Sequence, residues 1–209
     1  MAGLSVWRHP RPRAAAGVCL GRRDVPVDRR KSKRLAHRIR AWARRRALPR
    51  TVVTSPLRRA ADVGRWLARW GWRHRLDARL AELDVGAWDG QRWQDIPRAA
   101  IDAWCADFAA YRPGGGEPVA ALLERCAAFL AEAAPTGIVV GHAGWISAAL
   151  WLQRSGAAAP EAEAWPPAVR YGERVALTRA ADPAASASSP GGSACSSPRA
   201  RPARCRPTR

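Results

Sequence analysis

Ile138-Val-Val-Gly141-His142-Ala-Gly144-Trp-Ile-Ser-Ala-Ala-Leu-Trp-Leu-Gln-Arg154 is the stretch whose reading decides the fold. Its continuous apolar opening reads as a buried strand, Ile138–Gly141, and the run Ala143–Arg154 as the helix that follows. A polar His142 stands at the junction. The same stretch is the most apolar in the chain, yet it falls short of the ~18 uninterrupted apolar residues that a membrane helix needs.

Working outward, the pattern repeats. Leu4–His9 is a short apolar run ending in Arg8-His9, and Thr51–Ser55 is a β-branched run followed by Arg58-Arg59. Helical spacing appears over Arg34–Arg46 (Leu35, Ile39, Trp42), over Leu57–Trp70 with Pro56 placed to start it, and over Glu117–Ala134, stopped by Pro135. Residues 80–116 are rich in Trp, Gly and Asp and read as a loop with short helices. Strand and helix alternate, which predicts an α/β three-layer sandwich, a mostly parallel sheet with helices on both faces.

From 180 to 209 the composition changes to Ala, Ser, Pro, Gly and Arg, with nothing more apolar than Ala or Cys. Such a segment cannot offset its chain entropy by burial, so the domain is expected over 1–179 and a disordered basic tail over 180–209. A frameshift in an Arg- and Ala-rich coding region is one origin for such a tail. The net charge of +19 over 209 residues also divides unevenly. Residues 1–50 carry +14, residues 51–179 only +1 and the tail +4, so most of the domain is nearly neutral. Five cysteines, odd in number and never in a CxxC pair, support neither a disulfide framework nor a zinc site. With no signal-peptide pattern before Arg8, a reducing cytoplasm is expected.

In an open α/β sheet, ligands bind beyond the carboxyl ends of the strands. Arg8, His9, Arg59 and His142 would meet there. Guanidinium forks match phosphate oxygens, and an imidazole can donate to those oxygens or attack phosphorus. No Gly-rich phosphate loop and no paired metal carboxylates accompany them, so the expected chemistry is phosphoryl transfer without a metal or other cofactor, driven by positioning and positive charge.

These residues carry a resemblance. Arg8-His9, Ser55-Pro-Leu-Arg-Arg59-Ala60, Leu80-Ala-Glu82-Leu-Asp-Val-Gly86-Ala-Trp-Asp-Gly90 and Val140-Gly-His142-Ala-Gly144 occur in the order found in the histidine phosphatase superfamily, which has the phosphoglycerate-mutase-like fold. The resemblance spans roughly residues 4–178, and the opening Arg8-His-Pro-Arg-Pro12 with Gly17-Val-Cys-Leu-Gly21 is most similar to the α-ribazole phosphatase branch. It implies that His9 is the nucleophile that becomes phosphorylated. Arg8, Arg59 and His142 would hold phosphoryl oxygens, Glu82 would give and take the leaving-group proton, and Gly21 and Arg22 would contact substrate. Arg59 rather than Arg58 matches the motif. Pro10 and Pro12 depart from the common pattern, Pro12 replacing a hydroxyl that contacts phosphate.

The implied activity is a phosphomonoesterase acting on a small phosphorylated metabolite, with α-ribazole 5′-phosphate of cobalamin biosynthesis as the implied substrate. A mutase or another sugar-phosphate phosphatase is the alternative within the same chemistry. A basic nucleic-acid-binding protein is the alternative of another class, because residues 29–50 hold eleven basic side chains and no acid. That stretch lacks a recognisable base-reading motif. Oligomeric state is not legible, and no membrane association is expected.

Overall fold

The computed structural model describes residues 3–13, 15–133, 137–156 and 158–178. The 180–209 segment, for which disorder was expected, lies outside the described residues. Among the described residues five strands form one sheet: β1 (Gly3–Arg8), β2 (Thr51–Thr54), β3 (Arg73–Leu76), β4 (Ile138–Gly141) and β5 (Arg174–Thr178). Their order is β3-β2-β4-β1-β5, parallel except for β5, which runs antiparallel to β1 at the edge.

Both faces of the sheet are covered because the central strands are apolar on both. Leu4, Val6 and Val139 face one core with α4 (Val119–Glu132) and α5 (Ala143–Ser155), where Phe129 meets Trp145 edge to face. Trp7, Ile138 and Val140 face the other, formed with α1 (Arg29–Arg44) and α2 (Arg58–Ala68). The 80–116 region holds short 3₁₀ turns and one helix, α3 (Arg98–Ala106), as its composition suggests. Among the described residues no helix is long and apolar enough to cross a membrane. Cys19 and Cys126 are buried thiols; burial pushes Cys19 up to about 12 and raises Cys126 as well.

The structure corrects several boundaries and adds two strands. α1 starts at Arg29, five residues before the Arg34 start expected from apolar spacing, because Asp28 caps it by accepting the Arg30 amide at 2.7 Å. Periodicity could register only the part of the helix that carries Leu35 and Ile39. Four of the eight cations of α1 lie over aromatic rings: Arg29 and Lys33 over Trp66, Arg40 over Trp70 and Arg38 over Trp7. α2 and α4 are each shorter than their apolar runs, Arg58–Ala68 and Val119–Glu132.

β3 reads Arg-His-Arg-Leu and is mostly exposed, so it has no apolar alternation to reveal it. Its pairing with β2 and one part-buried side-chain bond hold it. The Thr54 hydroxyl donates to the Ser55 carbonyl at 3.1 Å and therefore receives His74 Nε2–H at 2.8 Å. β5 closes the other edge, register Gly3 to Thr178.

His74 also fills the space beside Gly64 on α2, where a Cβ would run into the imidazole ring. Gly64→Ala should therefore destabilise the fold by roughly 1–3 kcal/mol. Combined with His74→Ala, it should cost clearly less than the sum of the two single changes, because the ring is then absent. Denaturant midpoints of the four proteins check this, and strictly additive losses would show that the ring and the glycine do not press on each other.

Candidate active site

The β1–β4 register aligns Arg8 with Gly141, so the residues that leave the two strands, His9 and His142, are neighbours. The His9 amide donates to the Gly141 carbonyl at 3.0 Å, and the two imidazole centroids stand 4.9 Å apart. Both rings are buried.

Their hydrogen bonds assign complementary tautomers. His9 Nδ1 lies 2.8 Å from the Pro10 carbonyl oxygen, which can only accept, so Nδ1 carries the proton and Nε2 keeps its lone pair. His142 Nδ1 receives Arg59 Nε–H at 3.2 Å, which leaves the proton on Nε2. That Nε2 is buried without a partner among the described residues. One ring thus offers a nucleophilic lone pair and the other an unspent donor. Burial, followed by the positive charge of Arg59, pulls both imidazoles well below the ordinary histidine value of 6.5, with Arg8 adding to the effect. They are neutral at pH 7, and no proton has to leave His9 before it can attack.

Two arginines border the pair. Arg59 enters from the first turn of α2 and is 1% exposed, whereas its neighbour Arg58 is exposed, which separates two side chains that adjoin in sequence. Its terminal nitrogens donate to the Arg23 carbonyl at 2.7 Å and the Gly21 carbonyl at 2.5 Å. Arg8 donates from Nη1 to the Val169 carbonyl at 2.5 Å, stacks 3.7 Å above the Tyr171 ring, and has a buried Nε with no partner among the described residues. Burial lowers the pKa of both guanidinium groups from the ordinary value, yet among the described residues neither has a carboxylate in contact. The positive charge stays available to an anion.

Glu82 completes the group. It is buried, with Oε1 accepting the Leu83 amide at 3.0 Å and Oε2 accepting the Gly144 amide at 3.2 Å, at the N-terminus of α5 directly after His142. A Cβ on Gly144 would stand 2.5 Å from Oε1, so the approach needs glycine there.

Gly21 and Arg22, expected as substrate contacts, bond within the protein beside the site. Gly21 supplies its carbonyl to Arg59 and its amide to Asp89 Oδ1 at 3.0 Å, while Arg22 pairs with Glu117 at 2.9 Å and reaches the Glu82 carbonyl at 3.4 Å. Two residues escaped the sequence reading. Asp89 also accepts the Arg23 amide, at 2.6 Å, and so clips the loop that carries both Arg59 acceptors. Tyr171 packs on Arg8 and lies 5.5 Å from His9, ring to ring. Asp89 sat inside a quoted motif without a role. Tyr171 lies in the turn that leads into the antiparallel edge strand β5, a strand the sequence reading did not assign. Among the described residues no group of three or more His, Cys, Asp or Glu side chains is arranged to hold a metal ion.

Solved structures share this architecture. The Thermus thermophilus protein TTHB049 superposes with a TM-score of 0.62 at 25% identity, covering 83% of this chain and 92% of that one. Mycobacterial glucosyl-3-phosphoglycerate phosphatase gives 0.60 at 28% identity, with 75% and 82% covered. Phosphoglycerate mutase from Thermus thermophilus gives 0.59 at 26%, with 83% and 91% covered. No curated protein sequence matches the chain significantly. The sequence profile of the histidine phosphatase superfamily (branch 1) matches residues 4–179, a span containing both histidines, both arginines and Glu82, and the chain belongs to that superfamily.

Proposed function

We propose that this chain is a phosphomonoesterase that works through a phosphohistidine at His9, with α-ribazole 5′-phosphate as its substrate and the cytoplasm as its compartment. The observation that carries the chemistry is the tautomer pair: a buried lone pair on His9 Nε2 beside a buried, unpartnered His142 Nε2–H. The substrate assignment rests on the resemblance of the opening motif. The phosphatase among the similar structures supports hydrolysis, and the mutase among them keeps transfer to a second hydroxyl as the competing outcome.

In this reading His9 Nε2 attacks phosphorus in line with the ester oxygen. The N–P bond forms as the P–O bond breaks, and Glu82 delivers a proton to the departing alkoxide. His142 Nε2–H, Arg8 Nε–H and the unspent Arg59 N–H groups receive the equatorial oxygens, on which negative charge is spread. Water then attacks the phosphohistidine while Glu82 takes its proton, and inorganic phosphate leaves with His9 neutral again. A mutase would differ only in the second acceptor.

Brief incubation with labelled substrate followed by alkaline quench should trap phosphate on His9, stable to base and labile to acid. His9→Asn should trap none. Label on a serine or an aspartate would sink the mechanism, and label returned to a second hydroxyl of the substrate would select the mutase.

Glu82→Gln should slow hydrolysis of an alkyl phosphate by ~10²–10⁴, while p-nitrophenyl phosphate, whose leaving group needs little protonation, should lose far less. Equal losses on the two substrates would remove Glu82 from the proton step.

The buried histidines also set an acid limit on stability. Unfolded imidazoles titrate near the ordinary 6.5 and the folded ones lower, so the unfolded chain binds more protons as pH falls through that value. Stability should be fully present above it and decline below, by up to about 1.4 kcal/mol per pH unit for each imidazole. Denaturant unfolding between about pH 5 and 8 should show this, with a shallower decline in His142→Asn. An unchanged slope in that variant would mean that His142 is not held neutral.

A further inference from the structure

Glu82 is buried, but no regular element carries it: residues 81–85 are irregular coil between the 3₁₀ turns Ala78–Leu80 and Gly86–Trp88. A carboxyl group that must meet a leaving oxygen needs a backbone held to a fraction of an ångström. Side chains from outside the segment supply that constraint.

Arg125 reaches across from α4 with its whole guanidinium fork. Nη1 donates to the Arg79 and Ala81 carbonyls, both at 2.7 Å, and Nη2 donates to the Glu82 carbonyl at 3.1 Å and to Glu117 Oε1 at 2.6 Å. Glu117 then binds the far side of the segment. Its Oε1 accepts the Asp84 amide at 3.1 Å, and its own amide donates to the Asp84 carbonyl at 2.9 Å. Arg22 joins Glu117 Oε2 at 2.9 Å to the Glu82 carbonyl at 3.4 Å, and its neighbours Gly21 and Arg23 supply the two carbonyls that hold Arg59. The Arg125 and Glu117 side chains are only 16% and 15% exposed, so this pair escapes most of the solvent screening that makes surface ion pairs weak.

We propose that Arg125, with Glu117 and Arg22, is a positioning cluster that sets the Glu82 carboxyl against the bound phosphoester and thereby governs delivery of the leaving-group proton. The proposal rests on the reading of Glu82 as the proton donor. Arg125 touches neither histidine nor the reacting phosphoryl group; it acts through the Glu82 backbone. A lysine cannot replace it, because one ammonium cannot fork to three carbonyls and a carboxylate in this geometry.

The test compares kcat/KM on ethyl phosphate and on p-nitrophenyl phosphate for Arg125→Met, Arg125→Lys and Glu117→Gln, with thermal unfolding measured alongside. All three should lose activity selectively on ethyl phosphate, roughly 10- to 100-fold for Arg125→Met, while p-nitrophenyl phosphate turnover stays within a few-fold. If Arg125→Met does not fold, the other two variants give the same ratio. Adding Arg125→Met or Arg125→Lys to Glu82→Gln should cause no further selective loss, because the cluster works through that carboxyl. Parallel losses on both substrates, or no loss on either, overturn the proposal. Glu82→Gln separates the two ideas: a selective loss there with none at Arg125 overturns the cluster alone, and parallel losses in Glu82→Gln overturn the donor assignment and the cluster with it.

Discussion

The parallel pairing of β1 with β4 is the constraint on which the site depends. It places Arg8 beside Gly141, and the next residue on each strand is a histidine. Both strands are apolar on both faces, so the register is enforced by packing: Val6 and Val139 belong to one core, Trp7 and Val140 to the other. A slip of one residue would drive Trp7 into the space built for Val6 and would separate His9 from His142. The geometry of the candidate site is therefore a by-product of core packing on either side of the sheet.

Burial then gives those residues their chemistry. Taking an ion out of water costs several kcal/mol unless something replaces the solvent. For Arg8 and Arg59 the replacement is backbone carbonyls and the face of Tyr171. Carbonyl dipoles satisfy N–H groups without cancelling the charge, so both guanidinium charges are kept beside two neutral imidazoles, a combination suited to a phosphate dianion. Arginines that hold structure are treated differently: Arg125 and Arg22 are paired with Glu117, and Arg79 with Asp77. Among the described residues Arg8 and Arg59 lack the carboxylate partner that these arginines have.

The large net charge has another location. Much of it lies on α1, where four of the eight cations have their charged groups over the rings of Trp66, Trp70 and Trp7, 5.1–5.6 Å from the ring centroids. At that range the ring faces attract the charge, which ties this part of the basic stretch to the fold.

The sequence by itself determined the inventory and its order: three apolar runs that had to be buried strands, each ending in polar residues of one chemical kind, and the helices between them. Those features are local, since an apolar run or a 3.6-residue period is visible wherever it occurs. Only the tertiary structure decided which ring nitrogen of each histidine holds the proton, and that Tyr171 and Asp89 complete the surroundings. It also decided β3, which is mostly exposed and has no apolar alternation, and the place of β5, whose alternating Val175 and Leu177 reach the core through pairing with β1. The reason is the same in each case: burial, tautomer and edge pairing are properties of what surrounds a residue, and those surroundings come from segments far apart in the chain, as between Arg8 and Val169 or Gly3 and Thr178.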